Sequence, residues 1–111
     1  MDNTKAIAAL AALAQQTRLE TFRLLVKHEP KGIAAGELAD RVSVPQNTMS
    51  AHLAVLSRAG LISGERHSRS IIYRANLEFF QELNLFLLRD CCDGRSDLCE
   101  PVIRKLTPCC E

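Results

Sequence analysis

The chain has 111 residues, 47% of them hydrophobic and 24% charged, with a formal net charge of +1. This is the composition of one globular domain, and it excludes a disordered, collagen-like or two-domain chain. No apolar run approaches the roughly 20 residues needed to cross a bilayer, and with few aromatics and no Trp the core falls to Leu, Ile, Val and Ala.

Lys5 and the Ala-rich stretch to Ala14 have the outline of a secretory h-region. They are only weakly hydrophobic, however, and run directly into another helical pattern, so a cytoplasmic protein is expected. Ile7, Leu10 and Leu13 recur every third residue and predict a helix over about 4–14. Thr17-Arg18-Leu19-Glu20 has the form of a capping box opening a second helix, with Leu19, Phe22, Leu25 and Val26 on one face and Pro30 beyond its end.

Residues 35–42 predict a short helix with Leu38 and Val42 one turn apart. Pro45 suits the first position of the next helix, which runs to Ala59 with Met49, Leu53 and Leu56 as its buried stripe and Gly60 at its C-terminal cap. A short helix, a tight turn and a longer helix make a helix-turn-helix. From Leu61 to Ala75, β-branched and aromatic residues flank the polar stretch Glu65 to Ser70, which predicts a hairpin tipped by Arg66 and Arg69. The expected fold is therefore mainly α with a small β-hairpin, a winged helix-turn-helix.

A last helix is expected from Leu77 to Arg89, with Leu77, Phe80, Leu83, Leu87 and Leu88 on one side and Phe79, Leu85 and Phe86 widening the apolar surface. A helix apolar over so much of its girth has to bury a second face, and in a small chain a second copy is the simplest cover. A two-fold homodimer through the first and last helices is predicted. The division expected is a DNA-binding and dimerisation domain over 1–90 and a Cys-rich tail over 91–111.

The charge is uneven. Residues 1–74 carry ten Lys and Arg against six Asp and Glu, and residues 75–111 carry four against seven. Arg41, Arg58, Arg66, Arg69 and Arg74 stand in a stretch with Glu65 as the only acid, a local basic field of the kind that meets a polyanion. Setting the longer helix by its buried stripe turns Asn47, Ser50, Ala51, Ala54 and Arg58 outward, with Gln46 at the exposed N-terminal end. The amides suit adenine in a major groove, and the arginines of the hairpin suit phosphates or a minor groove. Plain surface amides are the bland alternative; the helix-turn-helix context and the charge favour double-stranded DNA. His52, at the edge of the buried stripe, suits a structural or phosphate-contact role better than metal ligation.

Thr17-Arg18-Leu19 through Leu25, Gly36-Glu37-Leu38-Ala39, Ser50-Ala51-His52-Leu53-Ala54-Val55-Leu56, Ala59-Gly60-Leu61-Ile62 and Tyr73-Arg74 together resemble the skeleton of ArsR-type (ArsR/SmtB) winged-helix metalloregulators over residues 5–90. The resemblance implies a homodimeric prokaryotic repressor that occupies operator DNA and leaves it when a metal or metalloid binds. Two features depart from it. Residues 37–41 lack the Cys-x-Cys that many members carry there, and the last helix lacks the His and Asp ligands of zinc-responsive members. Ser68 also stands at the hairpin turn where Gly is common.

All five cysteines fall in the last 21 residues. Adjacent Cα atoms lie about 3.8 Å apart and disulfides want about 4.4–6.8 Å, so neither Cys91–Cys92 nor Cys109–Cys110 closes on itself without strain. Cys99 follows Cys92 across a Gly-containing loop long enough to fold back. Three thiolates with no His or extra carboxylate cluster make a soft site, whereas structural zinc prefers four ligands and C-x-x-C pairs, which are absent. As(III) or Sb(III) uses three bonds and is completed by three sulfurs. Some arsenic-responsive members of the family carry a vicinal pair at the end of the last helix with a third Cys soon after, and Cys91, Cys92 and Cys99 match that arrangement. As(III) or Sb(III) is the expected effector, with Cd(II), Pb(II) or Hg(II), or thiol oxidation, as the alternatives within the same fold. Cys109 and Cys110 form a further candidate thiol pair. An enzyme is not expected: there is no glycine-rich loop, and His28, His52 and His67 fall in separate elements.

Overall fold

The computed structural model describes residues 1–91, with side chains as far as Leu88. The order of elements is α1 (Asn3–Leu13), α2 (Gln16–Lys27), β1 (Ile33–Ala34), α3 (Ala35–Val42), α4 (Gln46–Arg58), β2 (Ile62–His67), β3 (Ser70–Ala75) and α5 (Leu77–Cys91). The winged helix-turn-helix expected from the pattern is the fold found.

Helix α1 begins where Asp2 caps it, its Oδ1 accepting from the Lys5 amide at 2.8 Å. The face it buries is made of Ala6, Ala9 and Ala12, and not of the larger residues that announced the helix. Ile7 is 65% exposed and Leu10 43%. Small side chains let α1 lie close against α2 and α4; Ile7 and Leu10 are left outside, and Leu13 packs partly against the core. One side chain ties α1 to the next helix: Arg18 Nε donates to the Ala12 carbonyl at 2.7 Å.

The capping box expected at Thr17 is not formed. Helix α2 starts earlier, and Gln15 caps it by accepting from the Arg18 amide through Oε1 at 2.9 Å. Thr17 is thereby already helical. Its carbonyl takes the Thr21 hydroxyl at 2.8 Å, and the Glu20 carboxylate takes Gln16 Nε2 instead of reaching back to Thr17. The buried face also differs from expectation. Thr21, Phe22 and Leu25 are inside, while Leu19 and Val26 are on the surface. Thr21 Oγ1 lies 3.9 Å from Met49 Sδ, so the interior hydroxyl is bonded within its own helix and packs on α4.

Helices α3 and α4 follow the predicted bounds closely. Leu38 and Ala39 of α3 and Met49, Leu53 and Leu56 of α4 are all fully buried. Pro45 stands one place earlier than expected, as the extended residue flanking α4. Both helices end in the same way. Ser43 (φ 63) and Gly60 (φ 88) turn left-handed, and the amides that follow reach back, Val44 to Ala39 and Leu61 to Leu56. Gly60 is needed twice over, because a Cβ there would also stand 3.1 Å from the Phe79 ring.

The sheet has three strands in the order β1-β3-β2, all antiparallel. The two-residue β1 was invisible in the sequence. It is held by pairing Ile33 with Tyr73 and Ala34 with Ile72. Asn76 joins the wing to α5: its Nδ2 donates to the Gly60 carbonyl at 3.2 Å and its Oδ1 accepts from the Phe79 amide at 3.2 Å. On α5, Leu83 is buried and Phe79, Phe80, Phe86 and Leu87 pack partly against the core, with Phe80 and Phe22 ring centroids 5.0 Å apart. Leu77, expected on the inner side, lies on the surface, as does Leu85 at 55% exposed.

Gly60→Ala is expected to destabilise the fold by about 1–3 kcal/mol, because it strains a left-handed residue and crowds Phe79. Gly36→Ala should stabilise by about 0.4–1 kcal/mol, since a Cβ there meets only Gln46 Nε2 at 3.6 Å. Urea denaturation of the two variants beside the parent measures both.

Candidate nucleic-acid interface

The buried stripe of α4 decides what the helix shows to solvent. With Met49, Leu53 and Leu56 inside, Gln46, Asn47, Ser50, Ala51 and Arg58 are exposed along the opposite side, and His52 and Ala54 are half-buried at its edges. This brings together the residues singled out in the sequence on one helix. The face is small and polar, and no bulky side chain bars its approach to a groove about 12 Å wide.

The two amides are not equivalent. Asn47 Oδ1 already accepts from the Thr48 amide at 2.9 Å, so its acceptor is spent locally and bidentate pairing with a base requires it to swing out. Gln46 makes no such bond, and its Nε2 lies over Gly36 at the start of α3. Gln46 is the better-placed amide of the pair. The signal that could have separated the two is that an Asn in the first turn of a helix often bonds its own backbone.

The hairpin is longer and tighter than expected. Glu65, Arg66 and His67 lie within β2, and the turn is the pair Ser68-Arg69. Ser68 takes φ 59 and Arg69 does not turn left-handed, the φ pattern of a turn that usually has Gly first. Arg69 therefore sits at the tip, while Arg66 stands one rung down, opposite Ile71. His67 Nε2 lies 3.8 Å from Glu65 Oε2, two residues away on the same face of the strand.

The basic field thins when its partners are counted. Arg74 is held by Glu29 through two bonds of 3.1 and 2.9 Å, and this charge-assisted pair raises the pKa of the guanidinium above its ordinary value. Arg41 pairs with Glu37 at 3.0 Å and with His28 Nε2 at 3.1 Å. Neither is free for a phosphate. Among the described residues Arg58, Arg66 and Arg69 carry no ion pair, so the positive charge of this face is concentrated at the far end of α4 and at the wing.

No group of three or more His, Cys, Asp or Glu placed to hold a metal ion occurs among the described residues. Cys91 ends α5 with its side chain undescribed, and Cys92, Cys99, Cys109 and Cys110 lie outside the described residues. No helix is long and apolar enough to cross a membrane among those searched.

Known proteins agree with this architecture. A family model for a helix-turn-helix domain matches residues 13–65. The nodulation protein NolR of Rhizobium meliloti is 33% identical over 98 residues, covering 86% of this chain and 77% of NolR. An ArsR-like transcriptional regulator from Rhodococcus superposes with a TM-score of 0.71 at 25% identity, covering 93% of this chain and 92% of that one. This chain belongs to the ArsR family of winged-helix regulators. The transcriptional activator HlyU of Vibrio cholerae is 32% identical over 72 residues, 65% of this ArsR-family chain, and its solved structure gives a TM-score of 0.63. That alignment spans 64% of the HlyU sequence, just under two thirds of its length.

In duplex binding across a salt series, Arg66→Ala and Arg69→Ala should each lower the slope of log K against log salt by about 1. Arg74→Ala should leave the slope unchanged, because Glu29 occupies that guanidinium. An equal loss in all three variants would contradict this partition of the charge.

Proposed function

We propose that this chain is a homodimeric transcriptional repressor that binds operator DNA through α4 and the wing. In this reading the operator is released when As(III) or Sb(III) is held by Cys91, Cys92 and Cys99. The observation that carries the reading is the pairing of two features on one scaffold. One is an outward α4 face with unpaired arginines beside it. The other is a helix, α5, that is apolar on two sides and ends at the first of five cysteines.

The dimer follows from surface that a single copy leaves wet. Ile7 and Leu10 on α1 and Leu77 and Leu85 on α5 are exposed, and Met1, Glu82, Leu85 and Phe86 line a groove on the same helix. Burial of large apolar side chains is worth roughly 1.5–3 kcal/mol each, so a second copy is the economical cover. Two copies related by a two-fold axis present two α4 helices, whose spacing has to match a turn of duplex, about 34–36 Å. Gln46, Asn47, Ser50, Ala51, His52 and Arg58 then face the major groove, and Arg66 and Arg69 the backbone.

The donor set suits a trivalent soft atom, since three thiolates supply three bonds and a soft ion prefers sulfur to the carboxylates of Asp93, Asp97 and Glu100 nearby in sequence. Cys91, Cys92 and Cys99 would hold such an atom through their sulfurs, and any resulting shift in the last turn of α5 would be passed to the dimer surface that the same helix carries. Coupling of about 1–3 kcal/mol lowers operator affinity some 5–150-fold.

Replacing Cys91, Cys92 or Cys99 by Ser should preserve the operator complex and abolish its release by arsenite under strict reduction. Fluorescence anisotropy of labelled operator reads both. Release by arsenite in all three variants, or release only when an oxidant is added, would rule out the three-thiol effector site. In sedimentation velocity Ile7→Glu combined with Leu85→Glu should give a monomer, and operator affinity should fall by about tenfold or more because half-site coupling is lost.

A further inference from the structure

Neither the duplex face nor the thiol tail uses a groove of about 290 Å³ between α2 and α3, lined by Glu20, Arg23, Leu24, Lys27, Arg41 and Val42. Its apolar floor is Leu24 and Val42, both half-buried and packed against the core. Arg23 and Lys27 stand one turn apart on α2, exposed, and neither has an ion pair or hydrogen bond among the described residues. Like charges at this spacing destabilise a helix unless an anion lies between them. Arg41 faces them from α3.

Among the described residues no carboxylate is bonded to Arg23 or Lys27. Glu37 is engaged with Arg41, Glu29 with Arg74, and Glu20, the one carboxylate of the groove, accepts from Gln16 Nε2 at 3.1 Å. What remains is a concave floor of Leu24 and Val42 beside two cations without an ion pair among the described residues, Arg23 and Lys27, with Arg41 already paired to Glu37 at the rim.

We propose that this groove binds a small organic anion, a carboxylate carried on a short apolar body. The carboxylate lies against Arg23 and Lys27 and the body covers Leu24 and Val42. A bare inorganic anion leaves the floor wet. A duplex has no apolar body to place there. The ligand touches α2 on one side and α3 on the other, so it ties the first helix of the helix-turn-helix to its support. This site is independent of the cysteines, and its occupancy does not require the effector reading to hold.

The test is a titration of the full ¹⁵N-labelled chain, thiols reduced, with hexanoate, with neutral hexanamide and with inorganic phosphate. Hexanoate should give saturable shifts at Leu24, Lys27, Arg41 and Val42, and hexanamide should bind about tenfold more weakly or worse. The Arg23→Gln, Lys27→Gln double variant should lose hexanoate binding by a similar factor, while its thermal midpoint and duplex affinity stay unchanged. The proposal is overturned by an equal response to hexanamide, by phosphate binding as well as hexanoate, or by no saturable shift. A fall in duplex affinity with a shallower salt slope in the double variant also overturns it, because the cations would then be phosphate contacts.

Discussion

Met49, Leu53 and Leu56 lie on one stripe of α4, each at most 1% exposed, and the molecule's outward chemistry depends on their burial. They pin the helix rotationally, so the identity of the solvent-facing residues is settled by the core. Thr21 adds a polar contact to the same stripe without leaving a buried group unsatisfied, because its hydroxyl is bonded within α2. Left-handed residues at Ser43 and Gly60 then close α3 and α4 sharply. The recognition helix is thereby held at both ends and along its length, and an interface on rigid elements is one that can discriminate.

Apolar surface in excess of what one copy buries is concentrated on the first and last helices, and unpaired positive charge lies at the far end of α4 and at the wing. The two are separated along the chain order and serve different demands. Alanines let α1 sit close to α2 and α4 while Ile7 and Leu10 remain outside. On α5, Leu83 reaches inward while Leu85 points outward. A sequence that buried both sets in one core would have no surface left for a partner.

Much of this was legible in the order of residues. The α3–α4 pair, its buried stripe and the glycine after it were plain, because period 3.6, a flanking Pro and a terminal Gly all act locally. Four things were not. The start of α2 was misplaced since Gln15, a residue with weak capping preference, outcompeted the better-looking Thr17 once α1 had fixed where the chain re-enters. The inner face of α1 was hidden because alanine carries little hydrophobic signal, and the larger Ile7 and Leu10 drew attention to the outer one. The charge at Arg74 depends on Glu29, 45 residues away, and no local pattern reports such a pairing. Strand β1 likewise exists only by pairing with β3.

Contact made mostly through methyl groups, with Leu13 packed partly against the core at the end of the helix, has a mechanical corollary for α1. Ala6, Ala9 and Ala12 offer shallow ridges with little to interlock, so their packing resists separation far more than it resists sliding along the axis. Axial registration is left mainly to Arg18, whose guanidinium grips the Ala12 carbonyl from the following helix. A single tether at one end makes α1 resemble a rail clamped at its tail, with its longitudinal setting governed by one polar side chain.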